Sequence, residues 1–98
     1  MGTNYYIKHK NNKEVHIGKK SAGWDFVFCG EKLASLEDAI GYLFKWQDRI
    51  FNEYGEKVTF NGLLCTIMRK NKSFPYSQEF PNYFFESDGY MFSYRQFS

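Results

Sequence analysis

A chain of 98 residues with a formal net charge of +2 has room for one domain, spanning residues 1–98, with a single core. No apolar run approaches the roughly 20 residues of a bilayer-spanning helix, and the first residues lack the apolar stretch of a secretory signal. Cys29 and Cys65 stand alone, which fits two reduced, buried thiols in a cytoplasmic protein without membrane attachment.

Aromatic residues make up 21% of the chain, with eleven Phe and eight Tyr, while 43% of all residues are hydrophobic. The core must therefore rely on rings, and tyrosine suits half-buried positions where the hydroxyl stays wet. Charge is uneven. Residues 1–24 hold five lysines against one glutamate, a net +4, and the remainder carries −2. A basic N-terminal lobe attracts anionic partners, although five lysines make a modest patch.

Residues 3–10 alternate, with Tyr5, Ile7 and His9 on one face and Tyr6, Lys8 and Lys10 on the other, which predicts a strand. Asn11 and Asn12 signal a turn, and residues 14–17 return as the second strand of a hairpin. Gly18 is expected to break that strand and open a glycine-lysine turn. Trp24, Phe26 and Phe28 then alternate with Asp25, Val27 and Cys29 in a third strand, completing a meander.

Ser35 is placed to cap a helix whose first turn holds Glu37 and Asp38. Leu36, Ala39, Ile40, Leu43 and Phe44 recur at helical spacing through about residue 47, and Gly41 is expected where the helix crosses the sheet closely. Residues 49–54 suit a short extended piece and a turn. Thr59 caps a second helix with the stripe Phe60, Leu63, Leu64, Ile67 and Met68, and Arg69 and Lys70 complement its dipole. Residues 71–81, with both prolines, read as an irregular crossing. Residues 83–86 and 90–94 form a last hairpin closed by Ser87, Asp88 and Gly89. The expected fold is α+β: a largely antiparallel sheet, made of an N-terminal meander and a C-terminal hairpin, with two amphipathic helices on one face.

The stretch from His16 to Trp24 looks least like ordinary core or loop. Two ammonium groups, a hydroxyl and loop N–H groups would suit an anion such as a phosphate, and glycines permit close approach. The candidate ligand-binding residues are His16, Gly18, Lys19, Lys20, Ser21, Gly23 and Trp24, with Tyr5 and Tyr6 available for stacking. A P-loop is excluded, because the upstream glycine is missing and a second lysine interrupts the Gly-Lys-Ser ending. His9 and His16 would face each other across a tight hairpin, but metal sites need three or four ligands, so no metal or cofactor is expected. Ser21, His16 and Asp25 lie close in sequence yet offer no oxyanion hole, so no catalytic activity is expected. The tyrosines and phenylalanines near both ends could stack nucleobases, although such residues also build ring-rich cores.

Several motifs together resemble a group of small bacteriophage and prophage proteins without an established function. They are Gly2-Thr-Asn-Tyr-Tyr6, His16-Ile-Gly-Lys-x-Ser-Ala-Gly-Trp24, the helix start at Ser35 to Asp38, Glu53-Tyr-Gly55, Asp88-Gly89 and the terminal Phe97-Ser98. Members of that group often carry a Cys-x-x-Cys where this chain has Lys10-Asn-Asn-Lys13, so a zinc-stabilised hairpin in the relatives is replaced here by a short turn. The resemblance implies a phage origin and an accessory role in the cytoplasm of a bacterial host.

Three functions are compatible with these features. A non-enzymatic binder of an anionic small ligand, of the nucleotide or nucleotide-derived class, would suit a phage protein that blunts a host defence. A protein-protein inhibitor would dock on a host enzyme through solvent-exposed Tyr and Phe near the C-terminal hairpin, which would serve as interface anchors. Nucleic-acid binding through the basic first hairpin would show strong salt dependence. An exposed edge strand would also permit a homodimer.

Overall fold

The structure is a computed structural model that describes residues 2–21, 25–29, 33–69 and 83–94. A mixed, mostly antiparallel sheet of six strands carries two helices. The strands are β1 (Gly2–Lys8), β2 (Glu14–Ser21), β3 (Val27–Cys29), β4 (Ile50–Asn52), β5 (Phe84–Ser87) and β6 (Tyr90–Ser93). The helices are α1 (Leu36–Lys45) and α2 (Phe60–Met68). Sheet order is β4-β1-β2-β3-β6-β5, with every neighbouring pair antiparallel except β3 and β6. The expected α+β arrangement is present, with the meander and the C-terminal hairpin both formed. Among the described residues no helix is long and apolar enough to cross a membrane.

Local chemistry explains most of the boundaries. The β1–β2 turn places Asn12 at φ 66°, a left-handed conformation that asparagine tolerates, and the Asn11 side chain accepts from Lys13 N at 3.0 Å. The β5–β6 turn puts Asp88 and Gly89 at φ 52° and 83°, as a two-residue hairpin turn of the mirror-image type requires. Ser35 Oγ accepts from Asp38 N at 3.2 Å, and Thr59 Oγ1 accepts from Gly62 N at 3.0 Å, so both expected caps are in place.

The core lies between the sheet and the helices. Ile7, Ile17, Phe26, Phe28, Ile50 and Phe92 from the sheet meet Ala39, Leu43, Leu63 and Ile67 from the helices, joined by Leu33. Rings dominate its centre: Phe28 stacks on Phe92 at 4.7 Å and meets Phe26 edge-on at 4.9 Å.

Five local expectations are corrected. β2 does not break at Gly18 but runs on to Ser21, because β1 continues to pair with it as far as Gly2. α1 ends at Lys45, and the chain tightens into a 3-10 turn at Gln47–Arg49. Gly41 is not a crossing point: a Cβ there would meet nothing within 4 Å. The α2 stripe is narrower than its sequence suggests, with Leu63 and Ile67 buried but Met68 63% exposed. Cys29 is buried as expected, whereas Cys65 is exposed on α2. Residues 49–54 do contain the expected extended piece, β4, which pairs with β1 at the sheet edge. The third strand is described only over Val27–Cys29; Gly23, Trp24, Lys70 and the crossing at 71–81 lie outside the described residues.

Candidate functional site

A β-bulge decides which side chains of β2 share a face. Tyr5 pairs with Gly18 but Tyr6 pairs with His16, so Ile17 is an extra residue on β2. Side chains alternate along a regular strand, which would put His16 and Lys19 on opposite faces. With the extra residue, Ile17 and Gly18 both face the core, and Lys19 returns to the face of His16. That face is turned away from the helices. It carries Asn4 and Tyr6 from β1, and His16, Lys19 and Ser21 from β2.

Gly18 serves this geometry and not a ligand cradle. A Cβ on it would lie 2.5 Å from the Phe26 ring and 2.5 Å from the Val27 carbonyl oxygen. The glycine is there because a buried ring packs over it. Tyr5, its partner on β1, also faces the core and tilts against Phe26 at 5.9 Å.

His16 is the centre of the outward strip and is only 6% exposed. Its Nε2 lies 3.0 Å from Asn4 Oδ1 and 3.2 Å from the Gly18 carbonyl oxygen. A carbonyl can only accept, so Nε2 carries the proton and donates. Burial pushes the pKa of His16 down; the Gly18 hydrogen bond opposes this, and the Lys19 ammonium adds to it. The ring is thus held neutral. Tyr6 stacks on it with ring centroids 5.0 Å apart.

Asn4 links the strip to the sheet edge. β4 pairs with β1 only as far as Tyr5, so the Asn4 N–H would otherwise fall past the end of the ladder. Glu53 Oε1 accepts it at 2.8 Å and the Asn4 side-chain amide at 3.4 Å. Glu53 is aimed there by a tight turn in which Asn52 Oδ1 accepts from Tyr54 N at 2.9 Å and Glu56 N at 3.0 Å. Beside this anchored carboxylate lies a cleft of about 240 Å³ lined by Tyr6, Lys8, Glu14, Phe51, Asn52, Glu53 and Gly55. Burial raises the Tyr6 pKa, and the Glu53 and Glu14 carboxylates raise it further.

The two lysines of the motif diverge. Lys19 and Ser21 stand over Gly2, where a Cβ would fall 2.6 Å from Lys19 Cε and 2.7 Å from Ser21 Oγ. Lys20 points to the helix side, where burial lowers its pKa, Asp25 opposes that and Arg69 reinforces it. The structure therefore brings together Tyr6, His16, Lys19 and Ser21, and separates them from Tyr5, Gly18 and Lys20.

Two further pairings do not form. His9 does not face His16: it follows the alternation to the helix side, where its Nε2 lies 2.8 Å from the Tyr42 hydroxyl. The tight turn fixes His9 opposite Lys13 and not opposite His16. Among the described residues no group of three or more His, Cys, Asp or Glu is placed to hold a metal ion. Ser21 pairs with Gly2 and His16 with Tyr6, four strand positions or about 13 Å apart, so Ser21, His16 and Asp25 form no relay.

Sequence reasoning missed Asn4, Phe51 and Glu53. An Asn with a strand pattern around it was a weak signal, since polar residues are depleted in strands unless they have partners. Comparison with known proteins returns no matching family model, curated relative or solved structure.

Proposed function

We propose that the protein is a non-enzymatic binder of a small anionic ligand of the nucleotide class, held on the outward strip of β1 and β2. The observation that carries this reading is the bulge at Ile17, which sets Lys19 and Ser21 on the same face as the Tyr6–His16 stack. The strip is dipolar. Lys19 and Ser21 offer a cation and a hydroxyl at one end, while Tyr6, Phe51, Asn52 and the two glutamates offer rings and acceptors at the other. A nucleotide has the matching polarity, with phosphate at one end and a flat, donor-bearing base with sugar hydroxyls at the other. The Tyr6 to Ser21 span of about 13 Å suits one nucleotide. The resemblance to small phage proteins supplies a setting, in which sequestering a nucleotide signal in a bacterial host would blunt a defence.

Lys20 is a built-in control. Calorimetric titration with mono-, di- and cyclic nucleotides should show binding that Lys19→Ala weakens by at least about tenfold, or 1.4 kcal/mol. Lys20→Ala should leave it within about twofold, because that side chain faces the helices. Equal losses from both variants, or no binding by any nucleotide, would sink the reading.

A second reading, docking on a host protein, is favoured by the exposure of Phe44 (60%) and Tyr54 (68%). Such rings are common interface anchors. A purified partner should lose affinity on Phe44→Ser and Tyr54→Ser while Lys19→Ala leaves it intact; the reverse pattern would assign partner binding to the strip.

A further inference from the structure

A different feature lies at the far end of β1, on the helix side of the sheet. Where α1 passes into the 3-10 turn, Lys45, Trp46, Asp48 and Arg49 join Lys10 of the β1–β2 turn around a hollow of about 240 Å³. Three cations face one carboxylate, so its lining is net positive. The cleft beside Tyr6 has the opposite balance, one lysine against two glutamates.

The hollow is built, not merely charged. Arg49 Nε donates to the Lys8 carbonyl, and Arg49 Nη2 donates to the His9 carbonyl at 3.2 Å. Those bonds fix the guanidinium and engage only part of its donor fork. Trp46 packs against the core and forms a rigid wall. His9 meets the indole edge-on at 4.4 Å, and the Lys45 ammonium lies 5.8 Å from its ring centroid. Complementing the helix dipole accounts for Lys45, which sits in the last turn of α1. It does not account for Lys10, which comes from another element.

We infer that this hollow is a second binding site, for a phosphate-type oxyanion, either free or as a phosphomonoester. A tethered guanidinium gives directional N–H donors, and two exposed ammonium groups supply the charge for the remaining oxygens. The volume is below the roughly 300–1,000 Å³ of pockets that enclose drug-sized ligands, so the site grips a phosphate group and not a whole dinucleotide. Its residues are distinct from those of the Lys19 strip, and the two sites stand or fall separately.

Two-dimensional ¹H–¹⁵N NMR titrations at constant ionic strength test it, with inorganic phosphate, adenosine 5′-monophosphate and adenosine as probes. Phosphate and the monophosphate should shift the Trp46 indole N–H and the backbone amides of Lys10 and Arg49, and adenosine should not. The Lys10→Ala/Lys45→Ala double variant replaces two exposed side chains, so its remaining spectrum should be preserved while affinity for both anions falls at least about tenfold. Lys19→Ala should leave these shifts within about twofold in affinity. A silent Trp46, shifts that adenosine reproduces, or unchanged affinity in the double variant overturns the inference. If the monophosphate binds with Trp46 silent and Lys19→Ala weakens it, the strip is the site and the hollow is not.

Discussion

Two short stretches of this protein invite comparison: residues 16–21 of β2, and residues 45–49 at the end of α1. The first is conspicuous in sequence, with a histidine, two lysines and a serine in close succession, yet its extended backbone scatters them over two faces. The second is plain in sequence, a lysine, a tryptophan and an arginine among polar residues. Its tight turn gathers cations that a strand would disperse. A strand rises about 3.3 Å per residue and alternates sides, whereas a helix end or 3-10 turn keeps near neighbours on one side. Adjacency in sequence is therefore poor evidence of a site in a strand, unless a bulge intervenes.

The largest test of that contrast is Gly18→Ala. If Gly18 exists to let Phe26 pack and the bulge form, the added methyl should destabilise the fold by about 1–3 kcal/mol in urea unfolding, as overpacking does. A cost near zero would mean the bulge tolerates a side chain and the strip is not held by it.

Next in size is the pH dependence of the strip. His16 has its pKa lowered from its ordinary value of 6.5, so the folded state resists protonation. Stability should be full above pH 6.5 and should fall as the pH drops below it, because the unfolded chain takes up a proton that the folded one does not. The loss levels off once the folded pKa is passed, and its slope is at most about 1.4 kcal/mol per pH unit for one group. Unfolding midpoints of the wild type and His16→Gln between pH 7.5 and 5 should diverge in this way, with the variant showing the flatter profile over roughly that window. Parallel profiles would assign the pH dependence to other groups.

The smallest effect sharpens the α1 side of the comparison. Gly41→Ala should stabilise the protein by about 0.5–1 kcal/mol, since a Cβ there meets nothing within 4 Å and alanine is the better helix former. A destabilised variant would show that this face of α1 is covered by something its exposure does not reveal.

What was legible in the sequence follows from these mechanics. Period-two and helical patterns found the meander, both helices and the last hairpin, because burial on one face imposes those periods. Ser35 and Thr59 were readable as caps, since an orphan N–H at a helix start needs a nearby oxygen. The bulge was not readable: nothing local distinguishes Ile17 as an extra residue, and it is settled by how Gly18 accommodates Phe26. Without the bulge, the faces of Lys19 and Lys20 could not be assigned. Glu53 and Trp46 stayed hidden for a related reason. Each meets its neighbours only after β4 has paired with β1, a contact spanning about forty residues that no window along the chain contains.

The parallel pairing of β3 with β6 has a kinetic consequence. Val27 meets Met91 and Phe28 meets Phe92, about sixty residues later in the chain, and the register is only three residues long. Closing so large a loop for so few hydrogen bonds makes this junction a late step in folding, after the β1–β2 hairpin has formed from local contacts. The seam is short in hydrogen bonds but not in packing: Phe92 of β6 stacks on Phe28, which meets the Phe26 ring over Gly18, so opening this junction would expose the centre of the core behind the bulge.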